Sequence, residues 1–197
     1  MKFLNLAILL LILSAPGFSS GETHSFKNAN YKEAKKAESF LRFDMASTKF
    51  GLVTTSFEGF VKNYNLQGQL KGDELLAGAS VDFATQDLDT DIDGRNEKMW
   101  DYCLDAKNNP SIRITLNNAI PLTGTPVQVP AVLVIRGVEN AIQLTVKGSR
   151  NNEKIIFDLN GDLSIKDLHI PDPSIVIASV KDKIKVSAHI IIDGGQR

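Results

Sequence analysis

Hydrophobic and polar residues alternate with a period of two along most of the chain. In residues 140–148, Ile142, Leu144 and Val146 occupy every second position, with polar side chains between them. Such a period places alternate side chains on opposite faces of a β-strand, and one apolar face is typical of antiparallel sheet wetted on one side. The pattern predicts eight strands, at about residues 39–46, 53–67, 75–87, 111–120, 128–136, 140–148, 154–165 and 182–192.

One short helix is predicted between the third and fourth strands, at about residues 94–107. Apolar side chains recur there at helical spacing, which favours a helix with one narrow buried face. These side chains are Met99, Trp100, Cys103 and Leu104. Asp93 or Gly94 is the expected N-cap, and Asn108-Asn109-Pro110 is a typical helix stop.

The order of these elements predicts an all-β fold. Apolar strands that follow one another without crossover helices exclude a parallel α/β fold. About eight antiparallel strands form either an up-and-down barrel or a sandwich. Several predicted strands have ten or more residues, and such long strands favour the barrel. We therefore expect an antiparallel eight-stranded barrel with one short helix inserted.

Residues 1–19 have the pattern of a secretory signal peptide. A cation precedes a short apolar run, Phe3 to Leu13, and small residues follow it. The run is too short to span a bilayer comfortably, so we expect an exported protein without a stable membrane anchor. Polar residues 20–38 are expected to form a mobile N-terminal arm or a short surface helix. One barrel domain is expected over residues 39–197.

The charge of the chain is nearly balanced, with 22 Lys and Arg against 23 Asp and Glu. No basic footprint for nucleic acid or for an anionic membrane is visible, so we expect neither as a partner. Cys103 is the only cysteine, and the chain therefore has no internal disulfide. Its place on the apolar helix face favours a small buried hydrophobe, with a thiol that pairs two copies into a homodimer as the alternative.

No motif of the sequence indicates a metal, a cofactor or a catalytic residue. Residues 89–94 match the opening of an EF-hand calcium loop, but Trp100 stands at the twelfth position, which should supply a bidentate Glu. His24, His169 and His189 lie far apart without ligand spacing. The sequence also lacks nucleophile elbows, glycine-rich phosphate loops and zinc-protease motifs, so an enzyme is a hypothesis without named residues.

The interior of an eight-stranded barrel is just wide enough to be filled by its own side chains or to hold one slender ligand. Both arrangements are compatible with the sequence. The inward side chains are apolar, so a ligand would be apolar and bound by surface burial, at roughly 25 cal/mol per Å². The candidate lining residues are Phe57, Val81, Phe83, Ile114, Leu116, Leu133, Ile135, Leu144, Val146, Phe157, Leu159 and Val186.

Residues 88–114 resemble the central signature of the YceI-like family. In that signature, a strand that ends in Thr is followed by an Arg-(Asp/Asn) pair, a short helix and a Pro-x-Ile step. These places are taken here by Thr90, Arg95, Asn96, Met99, Leu104, Asp105, Pro110 and Ile112. Residues 132–146 and 163–192 resemble a hairpin and the closing segment of the same family, so the resemblance covers most of the chain from about residue 39.

This resemblance implies a lipocalin-like barrel, since family members are typically exported bacterial proteins of that fold and some hold a polyisoprenoid-type lipid. It implies a periplasmic carrier of a long-chain isoprenoid or similar lipid, and no enzyme. The alternative is a barrel-shaped interaction module with a packed interior. By the same resemblance, Arg95 would pair with a carboxylate or with strand-end carbonyls. Met99, Trp100 and Cys103 would plug one end of the barrel.

Overall fold

A computed structural model describes residues 21–194 of the 197-residue chain, so the predicted signal peptide, residues 1–19, lies outside the described residues. Within this range the helical segments are α1 (Tyr31–Lys36), a 3₁₀ turn (Thr85–Asp87) and α2 (Asp93–Glu97), which continues as a π-helical turn (Lys98–Cys103). The same range forms fourteen strands: β1 (Glu22–Lys27), β2 (Phe40–Lys49), β3 (Val53–Val61), β4 (Asn63–Gly68), β5 (Glu74–Leu75), β6 (Ser80–Ala84), β7 (Leu88–Asp89), β8 (Ser111–Leu116), β9 (Ile120–Pro121), β10 (Val127–Ile135), β11 (Val138–Asn151), β12 (Lys154–Ser164), β13 (Ala178–Val180) and β14 (Lys183–Asp193).

Twelve of the fourteen strands form one curled antiparallel sheet in the order β1-β4-β6-β8-β10-β11-β12-β14-β2-β3-β7, with β13 paired to β2. Strands β5 and β9 form a separate two-stranded sheet. Only Lys62 separates β3 from β4, yet β3 pairs with β2 whereas β4 pairs with β6. One continuous segment therefore joins the two sides of the sheet, which curls into a barrel-like shell. The predicted all-β antiparallel barrel with a short helix is confirmed.

The predicted number of strands is wrong, because several predicted segments are divided. The segment 53–67 is interrupted at Lys62, whose backbone N–H bonds to the carbonyl of Asp87 at 2.8 Å while the chain changes strand partners. Segments 75–87 and 111–120 each contain shorter strands and turns. Strand β1 was not expected at all, since its few apolar residues give no clear period.

The described part of the expected N-terminal arm packs against the sheet. Strand β1 pairs with β4 along its whole length, and Phe26 stacks on Tyr64 with ring centroids 4.7 Å apart. Helix α1 is capped by Asn30, and the Tyr31 hydroxyl donates to a Glu58 carboxylate oxygen at 3.0 Å. Of the two alternatives for this arm, the structure contains the short helix, together with an additional strand.

The helix that was predicted at about residues 94–107 extends from Asp93 to Cys103. It therefore ends four residues before its predicted end. Ile92 occupies the N-cap without a side-chain capping bond, so the expected cap at Asp93 or Gly94 is wrong. Asp89 and Thr90, which precede the helix, bond instead to the Asn96 side chain inside it. At the other end, Asp105 has a φ of 49°, a left-handed conformation that stops the helix.

Two clusters of buried side chains fill parts of the interior. The first is centred on Ile120 and Ile155, both 0% exposed. The second packs the buried Cys103 against the side chains of Leu133 and Ile135 on β10. The inward positions of the alternating strands therefore form the core, and the helical segment packs against one part of it.

Gly59 on β3 allows the ring of Phe43 to pack against the backbone. A Cβ atom at Gly59 would overlap Cε1 and Cζ of Phe43 and would lie 3.1 Å from the carbonyl oxygen of Asp89. We expect Gly59→Ala to lower the free energy of unfolding by about 1–3 kcal/mol, the usual cost of overpacking a core. Urea denaturation measures this change.

The matched control is Gly94→Ala, because no atom beyond its chain neighbours and its own helix backbone lies within 4 Å of the position its Cβ would take. Alanine favours a helix over glycine by about 1 kcal/mol, so this variant should be as stable as the original chain or slightly more stable. Equal stability losses in the two variants would contradict the assigned packing of Gly59.

Candidate functional site

An apolar cavity of about 380 Å³ lies between the sheet, the helical segment and residues 163–180. The sheet contributes Phe43, Met45, Phe57, Phe83, Leu88, Ile112, Ile114, Leu133, Ile135, Ile142, Leu144, Leu163, Ile184 and Val186 to its wall. The helical segment and the chain that covers this end contribute Met99, Cys103, Leu104, Ile165, Leu168, Ile170, Pro173, Ile175, Ala178 and Val180. The wall has four polar residues, which are Ser47, Thr90, Arg95 and Lys98.

A second cavity of about 130 Å³ adjoins the first one. The two cavities share wall residues from five positions of the barrel, which are Phe43, Phe83, Leu88, Ile114 and Val186. They are therefore neighbouring parts of one barrel interior. The interior is packed in places, as the buried clusters show, and open in others.

All twelve residues that the sequence suggested as lining residues lie on the wall of one of these cavities. Those on the larger cavity alone are Phe57, Leu133, Ile135 and Leu144. Those on the smaller cavity alone are Val81, Leu116, Val146, Phe157 and Leu159. Phe83, Ile114 and Val186 line both. Whether these side chains contact a ligand stays a prediction.

Sequence reasoning missed many of the wall residues, among them three groups that differ in how they could have been found. Phe43 and Met45 on β2 alternate with polar neighbours, so the period of two could have identified them. Met99 of the helix was expected to close the barrel end, but it was not counted among the lining residues. Residues 165–180 contribute many side chains without a regular period. Only the tertiary arrangement reveals that this last segment covers the cavity.

The larger cavity opens to solvent beside two loops. Ile175 belongs to the cavity wall and is also 54% exposed, so an opening lies at this residue. The backbone N–H of Phe50, at the tip of the β2–β3 hairpin, donates to the carbonyl of Ile177 at 2.9 Å, which joins the two loops. We call their exposed apolar residues the rim: Phe50, Leu52, Val53, Ile175, Val176 and Ile177.

A hydrogen-bond network holds the start of the helix beside this cavity. The side-chain oxygen of buried Asn96 accepts from the backbone N–H of Thr90 at 2.9 Å and from the Thr90 hydroxyl at 2.7 Å. The Asn96 amide nitrogen donates to Asp89 at 2.9 Å, and the same Asp89 oxygen accepts the N–H of Asp91 at 2.9 Å. The acidic run thus connects strand to helix through its own side chains.

Arg95 completes this network from the cavity wall. Its Nε donates to the Thr90 hydroxyl and its Nη2 donates to the Thr90 carbonyl, each at 2.9 Å. Of the two alternatives for Arg95, the structure therefore has the bond to a strand-end carbonyl. The guanidinium also covers the ring of Phe57, 4.5 Å from its centroid. Burial lowers the pKa of Arg95, because the wall excludes part of its water.

The residues expected to plug the barrel end have different places. Met99 and Cys103 line the larger cavity, whereas the Trp100 ring anchors the helix by donating from Nε1 to the carbonyl of Leu88 at 2.8 Å. Burial raises the pKa of the Cys103 thiol. This environment agrees with the interpretation of Cys103 as a small buried hydrophobe.

Within residues 21–194, no group of three or more His, Cys, Asp or Glu side chains is arranged to hold a metal ion. In that same range, no helix is both long and apolar enough to cross a membrane. The larger cavity is the candidate site because it is enclosed by an apolar wall with four polar residues, Ser47, Thr90, Arg95 and Lys98.

A family model described as "YceI-like domain" matches residues 32–192. No curated protein sequence matches the chain.

Three solved structures share the fold at low identity. BcnA of Burkholderia cenocepacia is 16% identical, with a TM-score of 0.62 and coverage of 77% of this chain and 96% of that one. A polyisoprenoid-binding domain of Saccharophagus degradans, implicated in plant cell wall breakdown, is 17% identical, with a TM-score of 0.58 and coverage of 80% and 94%. The YCEI protein of Campylobacter jejuni is 18% identical, with a TM-score of 0.63 and coverage of 74% and 89%.

The Asn96 network can be tested by removing its shared acceptor. We expect Asn96→Ala to lower the free energy of unfolding by about 1–3 kcal/mol, because the N–H and the hydroxyl of buried Thr90 lose their acceptor. Thermal or urea denaturation measures the loss. Asn108→Ala is the control, since exposed Asn108 bonds only locally to Asp105, and its effect should stay within about 0.5 kcal/mol. An equally small loss at Asn96 would contradict the network.

Proposed function

The chain belongs to the YceI-like family, and on this premise we propose that it is a periplasmic carrier that holds a long-chain apolar ligand, such as a polyisoprenoid, inside its barrel. The proposal concerns binding alone and includes no catalytic step. The observation that carries it is the 380 Å³ cavity with its almost wholly apolar wall. This volume lies in the range of about 300–1,000 Å³ that is usual for sites of small molecules.

The physical basis of binding would be the removal of apolar surface from water. Each 100 Å² of buried apolar surface contributes roughly 2.5 kcal/mol before the costs of association. A flexible chain ligand could extend from the larger cavity toward the smaller one, since Phe83 and Ile114 line both. The opening beside Ile175 offers a route of entry.

Two further observations support the ligand class and the compartment. A structure of the same fold is described as a polyisoprenoid-binding domain, and a slender isoprenoid chain suits a cavity of this shape and polarity. The pattern of residues 1–19 is that of a secretory signal peptide, which favours export to the periplasm.

A second function is favoured by the rim. Six exposed apolar side chains on two adjacent loops form a surface that would suit contact with another macromolecule. In this second function the chain acts as an interaction module, and the interior serves only to hold the fold together.

The carrier proposal predicts that a lipid accompanies the protein through purification. We expect the full chain, expressed with its own N-terminal segment and purified without detergent, to yield a stoichiometric long-chain lipid by mass spectrometry of an organic extract. Intact native mass should show the same complex. A protein that contains no lipid and takes up no added prenol would overturn this proposal and support the interaction module.

A pair of neighbouring variants tests the position of the ligand. Ile114 lines both cavities, whereas the adjacent Thr115 belongs to neither wall. We expect Ile114→Asp to abolish lipid retention, because a carboxylate in the apolar wall repels the chain, while Thr115→Asp should retain the lipid. Circular dichroism checks that both variants fold. Equal retention by two folded variants would remove Ile114 from the binding wall.

A further inference from the structure

The wall of the larger cavity contains two charged side chains, Arg95 and Lys98, and both are cations. None of the Asp and Glu residues in the described range belongs to this wall. An apolar cavity with a cation and no carboxylate has an unbalanced charge. Such a charge is costly next to apolar surface unless a partner of opposite sign approaches it.

Arg95 is the better placed of the two cations. Within residues 21–194 its guanidinium bonds only to Thr90, through Nε and Nη2. A guanidinium has five N–H groups, so three are available to a ligand. Arg95 makes no ion pair with any carboxylate of the described residues. Its reduced pKa, caused by burial, reflects the poor solvation of the charge at this position.

Asp89, six residues before Arg95 on this connection, is engaged by other groups. Asp89 accepts hydrogen bonds from Asn96 and from the backbone of Asp91, and its other oxygen lies 3.6 Å from the Lys62 ammonium. Among the residues that the structure describes, neither Asp89 nor the nearer Asp91 and Asp93 forms an ion pair with the Arg95 guanidinium.

The positive charge of Lys98 is partly compensated by neighbouring groups. Its ammonium lies 5.9 Å from the centroid of the Tyr102 ring. The pKa of exposed Asp172 is lowered mainly by hydrogen bonds from Ser174, and the charges of Lys166 and Lys98 add to this effect. The charge of Lys98 therefore acts on the Asp172 carboxylate at longer range.

We propose that the cavity selects long-chain lipids with an anionic head group, a carboxylate or a phosphate, whose oxygens bind the free N–H groups of Arg95. The inference rests on the proposed carrier function and adds the chemistry of the head group to it. The chain of the lipid occupies the apolar wall, and the head lies beside Thr90 and Arg95. Lys98, on the same helical segment, strengthens the local positive potential. Charge-assisted bonds of this kind are about twice as strong as neutral ones.

The test compares ligands that differ only in their heads. The full chain is freed of bound lipid, and the neutral dye N-phenyl-1-naphthylamine is displaced by farnesyl phosphate or farnesol, and by palmitate or hexadecanol. We expect each anion to bind more tightly than its alcohol by a factor of about ten or more. The ratio of anion affinity to alcohol affinity, compared between the two pairs, shows whether phosphate or carboxylate is the preferred anion. Added salt should weaken the binding of the anions and not of the alcohols.

Variants then assign the preference to Arg95. Arg95→Gln removes the charge and should reduce the preference for anions over alcohols to less than about threefold. Arg95→Lys keeps the charge and should retain part of the preference. Lys107→Gln makes the same charge change at an exposed position outside the wall and should behave like the original chain.

The outcomes separate this inference from the carrier function. Equal binding of anions and alcohols by the original chain overturns the inference and leaves the carrier function in place. Failure of all four ligands to displace the dye or to bind overturns the carrier function itself. A full preference for anions in folded Arg95→Gln would falsify the assignment to Arg95. The comparison within the original chain needs no variant, so it decides the inference even where a variant does not fold.

Discussion

The continuity of β3 and β4 is the constraint on which the rest of this structure depends. A segment that pairs with β2 before Lys62 and with β6 after it joins the two sides of the sheet, so the sheet has to curl. Curling turns the alternation of side chains into an inside and an outside. Every apolar residue at an inward position then contributes either to a packed cluster or to the wall of a cavity. The change of hydrogen-bond partner at Lys62 is thus the local event that gives the protein an interior.

The helical segment decides that part of this interior stays open. The Trp100 indole holds the helix to the carbonyl of Leu88, and the Arg136 guanidinium donates to the carbonyl of Cys103 at 2.6 Å. These polar bonds attach the helix at the edge of the shell, so that Met99 and Cys103 line the cavity. The network around Asn96 fixes the start of the same helix and orients Arg95. Because these hydrogen bonds hold the helical segment at its ends, the segment can enclose the cavity without filling it.

The sequence predicted the parts of the fold that depend on local periodicity. Inward residues such as Leu144 and Phe157 follow from alternation alone, because a period of two fixes which side of a strand each residue occupies. The division at Lys62 could not be predicted, since it arises from a change of strand partner between distant segments. The N-cap was misplaced because the helix begins one residue earlier, with Ile92 at the cap and no capping side chain to mark it in the sequence. Residues 165–180 have no period, so their place over the cavity depends on tertiary packing.

The cavity also links ligand binding to stability. An empty apolar cavity loses the contacts that would otherwise surround its wall, so the fold is less stable than one with a packed interior. A bound chain restores those contacts in the folded state alone, and the resulting stabilisation grows with ligand concentration relative to Kd. An anion bound to Arg95 would also stabilise the folded state, because the charge of Arg95 is poorly solvated without it. Under the carrier proposal, the apolar wall and the unpaired cation favour the same occupant, a long chain with a charged end. The sheet supplies most of the apolar wall, and the short helical connection between β7 and β8 places Arg95 at that wall.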